Sequence, residues 1–213
     1  MNKFKMIWVH GLNSPNPTKT YDGWKNTIPE SNQFDILPVK WKSKNWNEDL
    51  FNIYMSKIYR DAQIQKVIDA VKQTNGIPTL WISHSWGTVW SYKAWKRLSA
   101  ANELKAPIWI VLVGAALGGT NLPFGGIYVE QVKKEYTGSP SPKELERMIN
   151  IYNNDDYVSS RVFIDRLENM RVDPGGFHPG FQEHDAKIYF KTMEFRMIMQ
   201  QFMEKFGGNF INS

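Results

Sequence analysis

The segment from Pro107 to Gly114 constrains the fold of this chain more than any other feature. It reads Pro-Ile-Trp-Ile-Val-Leu-Val-Gly and is apolar at nearly every position. A strand with one face in solvent alternates apolar and polar residues, whereas a central parallel strand is covered by helices on both faces. The segment therefore predicts a central strand of a parallel sheet, which requires helical crossovers around it.

Segments of strand type and helix type alternate along the rest of the chain. The further predicted strands are Phe4 to Val9, Phe34 to Val39 (Pro38 placing its end near an edge), Pro78 to Ser83, Arg147 to Tyr152 and a short one near Asn169 to Val172. The predicted helices are about Asn47 to Lys72, Trp86 to Leu98, Val129 to Tyr136, a short one opened by Ser141, a short one after Val158, and about Asp185 to Phe206. This order predicts a three-layer α/β/α sandwich with a mostly parallel central sheet. No linker or repeat divides the 213 residues, so we expect one domain over residues 1–213.

A serine lies at the junction between one predicted strand and the helix after it. The segment reads Ile82-Ser83-His84-Ser85-Trp86-Gly87, and small residues stand two positions before and two positions after Ser85. Small residues there let the strand and the helix approach closely, and the sharp turn presents the serine at the carboxyl edge of the sheet. This placement makes Ser85 the candidate nucleophile.

At these residues the chain resembles the α/β-hydrolase family, in particular its small esterases and lipases, whose nucleophile turn is G-x-S-x-G. Ser83 departs from that pattern by replacing the first glycine. His84 precedes the nucleophile, as a histidine often does in the family, and we expect it to have a packed, supporting role. The resemblance implies an α/β-hydrolase fold with a small cap, because the segment from Ala115 to Lys143, where such proteins often place one, is short.

The resemblance also implies an oxyanion hole at the end of the first strand. The sequence Trp8-Val9-His10-Gly11-Leu12-Asn13-Ser14 is similar to the family's H-G-x-x-S start. In the family, a backbone N–H beyond this His-Gly pair acts together with the N–H after the nucleophile. The predicted donors are therefore the backbone N–H groups of Leu12 and Trp86.

The family order of Ser, then acid, then His limits the other candidates. Asp155 and Asp156 follow the strand that ends at Tyr152, and Asp155 is preferred because it stands three residues before Val158. Two histidines follow Ser85. His184 is preferred as the base because it directly precedes the last helix, where a neutral imidazole is favoured, and His178, in a Gly-rich segment, is the alternative.

The predicted activity is hydrolysis of carboxylic esters through an acyl-enzyme, without a metal or cofactor. Short or medium acyl esters are the first expected substrates, and lipid esters and thioesters the next. Two other classes stay open: a catalytically inactive protein of this fold that binds a partner, and a different doubly wound fold that binds a small ligand. No nucleotide-binding glycine motif supports a nucleotide ligand.

Composition excludes several other functions. The chain has no cysteine, which rules out disulfides, thiolate catalysis and cysteine-based zinc sites. The net charge of +5 comes without a basic run, and we expect Lys40, Lys42 and Lys44 to form a solvated strand edge, so nucleic acid is not an expected partner. No apolar run has the length of a signal peptide or a membrane span, which predicts a cytoplasmic protein. Seven of the nine tryptophans lie in the first 90 residues and predict mainly an aromatic core.

Overall fold

The computed structural model of the protein describes residues 4–41, 43, 45–116, 146–156, 167–173 and 184–207. Its strands are β1 (Phe4–Val9), β2 (Phe34–Val39), β3 (Thr79–His84), β4 (Ile108–Val113), β5 (Glu146–Tyr152) and β6 (Glu168–Arg171). Its helices are α1 (Pro17–Lys25), a 3₁₀ turn (Ser31–Gln33), α2 (Trp46–Met55), α3 (Lys57–Lys72), α4 (Gly87–Ala100), α5 (Ala186–Phe190) and α6 (Met193–Gly207). The helices predicted at 129–136, at Ser141 and after Val158 lie outside the described residues, as do Lys42, Lys44 and most of the Gly-rich segment 114–126.

The six described strands form one parallel sheet in the order β2-β1-β3-β4-β5-β6. The predicted α/β/α sandwich with a parallel central sheet is therefore confirmed. Strand β4 lies inside the sheet with all six residues buried, and β2, which contains Pro38, is an edge strand, as both patterns predicted. The strand order reverses between β1 and β3. In open parallel sheets such a reversal opens a crevice at the carboxyl ends of the two strands, where ligands bind.

Two hydrophobic clusters cover the two faces of the sheet. In β1, Ile7 and Val9 belong to the cluster formed with α2, α3 and α4, whereas Met6 and Trp8 belong to the cluster formed with α1, α5 and α6. This division follows from the alternation of side chains along a strand. Six tryptophans are at most 2% exposed, so the predicted aromatic core is confirmed for Trp8, Trp24, Trp41, Trp81, Trp86 and Trp90.

Helix α1 was not predicted from the sequence, although Asn16-Pro17 is a start signal. The Asn16 side chain accepts a hydrogen bond from the Lys19 N–H at 3.1 Å, and Pro17 occupies the first helical position. The helix buries Tyr21 and Trp24. Their ring centroids lie 5.8 and 5.9 Å from that of Trp8, so α1 covers the carboxyl half of β1.

The single helix predicted from Asn47 to Lys72 is two helices that are separated at Ser56. Ser56 is extended, at φ −114° and ψ 105°, and its hydroxyl accepts a hydrogen bond from the Tyr59 N–H, so it caps α3. Leu50 and Ile53 of α2 pack in the same hydrophobic cluster as residues of α3. Four side chains that the helical period had placed on the buried face are exposed instead: Phe51, Tyr54, Met55 and Ile58.

The predicted last helix is also divided, because Thr192 starts a new helix after α5. Its hydroxyl donates to the Tyr189 carbonyl at 2.7 Å and accepts from the Phe195 N–H at 3.4 Å. None of the helices among the described residues combines the length and the apolar character that a bilayer crossing requires.

Candidate active site

Ser85 lies in a strained turn between β3 and α4. Its φ of +54° is in the left-handed region, which a non-glycine residue rarely adopts. The Ser85 N–H donates to the Val113 carbonyl at 3.0 Å, and the Ser85 carbonyl accepts from the Thr88 hydroxyl at 2.6 Å. The surrounding sheet and helix therefore hold the strained conformation, which is typical of residues placed for function.

Glycines let the end of β1 lie directly against this turn. A Cβ atom at Gly87 would lie 2.5 Å from the His10 carbonyl oxygen and 2.6 Å from that of Val9. A Cβ atom at Gly11 would lie 2.6 Å from the Cβ of Ser85. These distances are shorter than carbon atoms tolerate, so both glycines are required by the close approach of backbone to backbone.

Ser83, which replaces the first glycine of the family pattern, has its own hydrogen-bond partner. Its hydroxyl lies 2.6 Å from the Ser91 hydroxyl, which also accepts a hydrogen bond from the Trp81 indole N–H at 2.9 Å. All three side chains are fully buried. The added hydroxyl is therefore satisfied between β3 and α4, and the serine fits where the pattern has glycine.

A continuous line of hydrogen bonds joins Ser85, His184 and Asp156. Ser85 Oγ lies 2.6 Å from His184 Nε2, and His184 Nδ1 lies 2.9 and 3.0 Å from the two carboxylate oxygens of Asp156. An ionised carboxylate only accepts, so Nδ1 carries the proton and Nε2 is left to accept from the serine hydroxyl. Ser85 is 7% exposed, His184 8% and Asp156 2%. This arrangement can remove a proton from Ser85 in a largely water-free site.

The structure places Asp156, the alternative acid, against the imidazole, whereas the side chain of Asp155, the preferred one, is exposed. Strand β5 ends at Tyr152, and the Asn153 side chain accepts a hydrogen bond from the Asp155 N–H at 3.0 Å. This turn leaves the Asp155 side chain exposed in solvent and returns the chain inward at Asp156. Counting residues back to Val158 could not show which aspartate faces the sheet.

Tyr189 is a further member of the cluster that the sequence reasoning missed. It lies in α5, five residues after His184, and its hydroxyl donates to Asp156 Oδ2 at 2.5 Å. The ring is fully buried. The carboxylate therefore accepts from both Tyr189 and His184. Nothing in the sequence marked this tyrosine, because its role depends on how α5 packs under the turn at Asp156.

His184 directly precedes Asp185, the N-cap residue of α5, which accepts a hydrogen bond from the Lys187 N–H at 3.0 Å. The main chain at His184 also has a partner. His84 Nε2 lies 2.6 Å from the His184 carbonyl oxygen and therefore donates to it. The alternative base, His178, lies outside the described residues.

The predicted oxyanion donors lie on the two segments that flank Ser85. Trp86 is the N-cap residue of α4, at the positive end of the helix dipole, and Leu12 follows Gly11 in the turn against Ser85. His10 holds that turn from behind, since its ring stacks on Trp41 with centroids 5.0 Å apart and lies 2.7 Å from the Gly11 carbonyl oxygen. Burial lowers the pKa of His10 to about 4, so the ring is neutral.

Among the described residues, no group of three His, Asp or Glu side chains could hold a metal ion. The groups that the described site offers to a substrate are a serine hydroxyl, an imidazole, a carboxylate and backbone N–H groups.

Comparison with known proteins finds the same fold in solved structures. A metagenomic carboxyl esterase superposes with a TM-score of 0.60 at 10% identity, covering 96% of this chain and 77% of that chain. Lipase B of Aspergillus fumigatus superposes with a TM-score of 0.51 at 13% identity, covering 78% of this chain and 41% of that chain. The present chain therefore spans about two fifths of the lipase. No family model matches the chain, and no curated protein matches it. The structural likeness shows that the chain has the α/β-hydrolase fold.

Proposed function

We propose that this protein is a serine hydrolase that cleaves carboxylic esters through a covalent acyl-enzyme. Ser85 is the nucleophile, His184 the general base and Asp156 the acid of the triad. The observation that carries the proposal is the hydrogen-bonded line from Ser85 Oγ through His184 to Asp156, on a strained turn at the reversal point of the sheet. A merely structural serine needs neither the left-handed backbone nor a buried base.

In the first half of the reaction, Ser85 Oγ attacks the carbonyl carbon of the ester while its proton passes to His184 Nε2. The imidazolium that forms lies against the Asp156 carboxylate, which stabilises the positive charge. The negative charge develops on the former carbonyl oxygen. We assign its stabilisation to the N–H groups of Trp86 and Leu12, which come from the amino end of α4 and from the turn after β1.

In the second half, His184 protonates the departing alcohol and then removes a proton from water. The resulting hydroxide attacks the acyl carbon, and Ser85 leaves with the proton that His184 returns. Every proton transfer passes through Nε2, which explains why Nδ1 must be held as a donor by Asp156. No step in this sequence uses a metal or a cofactor.

Small-molecule esters with short or medium acyl chains are the substrates we propose first. Both solved structures with this fold described above carry names of ester-cleaving enzymes, a carboxyl esterase and a lipase. A lipase or thioesterase activity is the alternative on the same residues. A panel of p-nitrophenyl esters from acetate to palmitate, together with an acyl thioester, separates these activities by their relative kcat/KM.

The central test compares Ser85→Ala with Ser99→Ala on p-nitrophenyl acetate and with a fluorophosphonate probe. Ser99 is a matched control because it lies in the last turn of α4, the helix that follows Ser85, about 20 Å away along the helix axis. We expect Ser85→Ala to lose about 10⁴- to 10⁶-fold in rate and all labelling, while remaining folded by circular dichroism. Ser99→Ala keeps both. Wild-type turnover in Ser85→Ala would refute the proposal, and an unlabelled wild type would favour an inactive binding protein.

A further inference from the structure

We propose that His84 is a positioning residue that fixes the main chain of His184 relative to the nucleophile. This inference rests on the proposed function, since it assigns a role within the same site. His84 and Ser85 are adjacent residues, and both contact His184. His84 donates to its carbonyl oxygen at 2.6 Å, while Ser85 Oγ lies 2.6 Å from its Nε2. The base is therefore held at its backbone and at its ring by two consecutive residues.

The anchor is rigid because His84 is the last residue of a central strand. It pairs with Val113 of β4 in the sheet. Its ring centroid lies 4.7 Å from that of His184, and the edge of Trp24 packs against it at 6.2 Å with an interplanar angle of 85°. The His84 donor is therefore carried by the strand that leads into Ser85, and its ring packs against the rings of Trp24 and His184.

His184 lies outside the six described strands, so the pairing of the sheet does not position its backbone. It lies in the segment before α5, and its carbonyl group precedes the N-cap residue Asp185. Loss of the donor at position 84 would remove a hydrogen bond of 2.6 Å from that carbonyl, which costs free energy. Rotation of that peptide group would move the imidazole with it. A displacement of about 1 Å at a catalytic group can cost about 10²-fold in rate.

The anchor must also be uncharged. An imidazolium forms on His184 during the reaction, and a cation at position 84 would oppose it at a ring separation of 4.7 Å. Desolvation, and to a smaller extent the neighbouring His184, lower the pKa of His84 to about 3. The ring therefore stays neutral and keeps its Nε2 proton for the carbonyl. A neutral N–H donor is what position 84 requires.

The test compares His84→Gln, His84→Met and His84→Asn. Glutamine places an amide N–H near the position of Nε2, methionine has similar length without a donor, and asparagine is too short to reach the carbonyl. We expect His84→Met and His84→Asn to lower kcat on p-nitrophenyl acetate by about ten- to a hundredfold with KM within about twofold. His84→Gln should restore kcat to within about threefold. Equal rates in the Met and Gln variants would overturn the inference.

A second measurement does not depend on turnover. NMR of the histidine rings should show the His184 signals shifted or broadened in His84→Met and His84→Asn, but close to wild type in His84→Gln. Unchanged His184 signals in all three variants would overturn the inference. This holds even if His84→Met or His84→Asn is less stable than wild type. Ser85→Ala distinguishes a failure of the proposed function from a failure of this inference. If hydrolysis does not depend on Ser85, the proposed function fails, and the NMR comparison still decides the role of His84.

Discussion

The two adjacent aspartates offer the sharpest test of the site, because the structure gives them opposite environments. Asp156 is buried and accepts from His184 and Tyr189, whereas the Asp155 side chain is exposed. Asp156→Asn removes the negative charge beside the imidazole and keeps nearly the same volume. Asp155→Asn makes the same chemical change one residue away. The pair therefore separates the effect of the charge from that of a local change in the turn.

The expected loss in Asp156→Asn follows from the distance between the two groups. When His184 becomes charged in the transition state, its Nδ1 lies 2.9 Å from a carboxylate oxygen. At an effective dielectric constant of about 20, opposite charges at that distance attract by about 6 kcal/mol. Since each ~1.4 kcal/mol changes a rate tenfold, kcat should fall by roughly 10⁴-fold. Serine triads in which this aspartate is replaced by asparagine lose a similar factor, about 10⁴.

The assay is the initial rate of p-nitrophenyl acetate hydrolysis, measured beside fluorophosphonate labelling at matched protein concentration. Thermal denaturation of both variants checks that each is folded. We expect Asp155→Asn to stay within about twofold of wild type, because a surface substitution without a buried partner has little effect. Equal losses in the two variants, or an Asp156→Asn variant within tenfold of wild type, would refute the assignment of Asp156.

Three other predictions test the surroundings of the site. Tyr189→Phe removes a hydrogen-bond donor from the buried Asp156 carboxylate, so it should lower the free energy of unfolding by about 1.5–3 kcal/mol, measured by urea denaturation. It should reduce kcat far less than Asp156→Asn does, and equal losses of kcat in the two variants would contradict this prediction. Gly87→Ala places a Cβ atom 2.5 Å from the His10 carbonyl oxygen. We therefore expect the free energy of unfolding to fall by at least about 1–3 kcal/mol, together with weaker labelling by the fluorophosphonate probe. A variant as stable as wild type would contradict that geometry. The pKa of His10 is about 4 in the folded protein, against 6.5 for an unperturbed histidine, so the unfolded chain takes up this proton at a higher pH. The stability that the neutral His10 contributes is therefore fully present above about pH 6.5 and is lost as the pH falls toward 4. At pH 5 the free energy of unfolding should be lower by about 2 kcal/mol on this account. Because His84 is also held below the ordinary histidine pKa and contributes in both proteins, urea unfolding at pH 7.5 and pH 5 should show a loss in wild type that is about 2 kcal/mol larger than the loss in His10→Gln. An equal loss in both would exclude His10 as a source.

Local patterns indicated the fold class and the candidate nucleophile. The apolar run at Ile108–Val113 needs cover on both faces, which a parallel sheet between two layers of helices provides. Ser85 was identifiable because the small residues around it report a close approach of backbone segments, which the contacts of Gly87 with Val9 and His10 now explain. These patterns involve residues that are close together along the chain, so they can be recognised in the sequence.

Breaks in long helices were less visible. The period of apolar residues continues through Ser56 and through Thr192, but at each position a hydroxyl caps a new helix. Serine and threonine can cap a helix or remain within it, and the choice depends on tertiary packing. Phe51, Met55 and Ile58, which lie on both sides of the break at Ser56, have exposed side chains.

The sequence alone therefore indicated the parallel sheet and the turn that carries Ser85, and the family resemblance supplied the expected order of acid and base. Only the tertiary structure decided that Asp156 and not Asp155 meets His184, that Tyr189 donates to the same carboxylate, and that His84 holds the His184 carbonyl. The physical reason is distance along the chain. The contact between His84 and His184 joins residues 100 positions apart. Such a contact depends on the orientation of whole elements, which no local pattern of residues records.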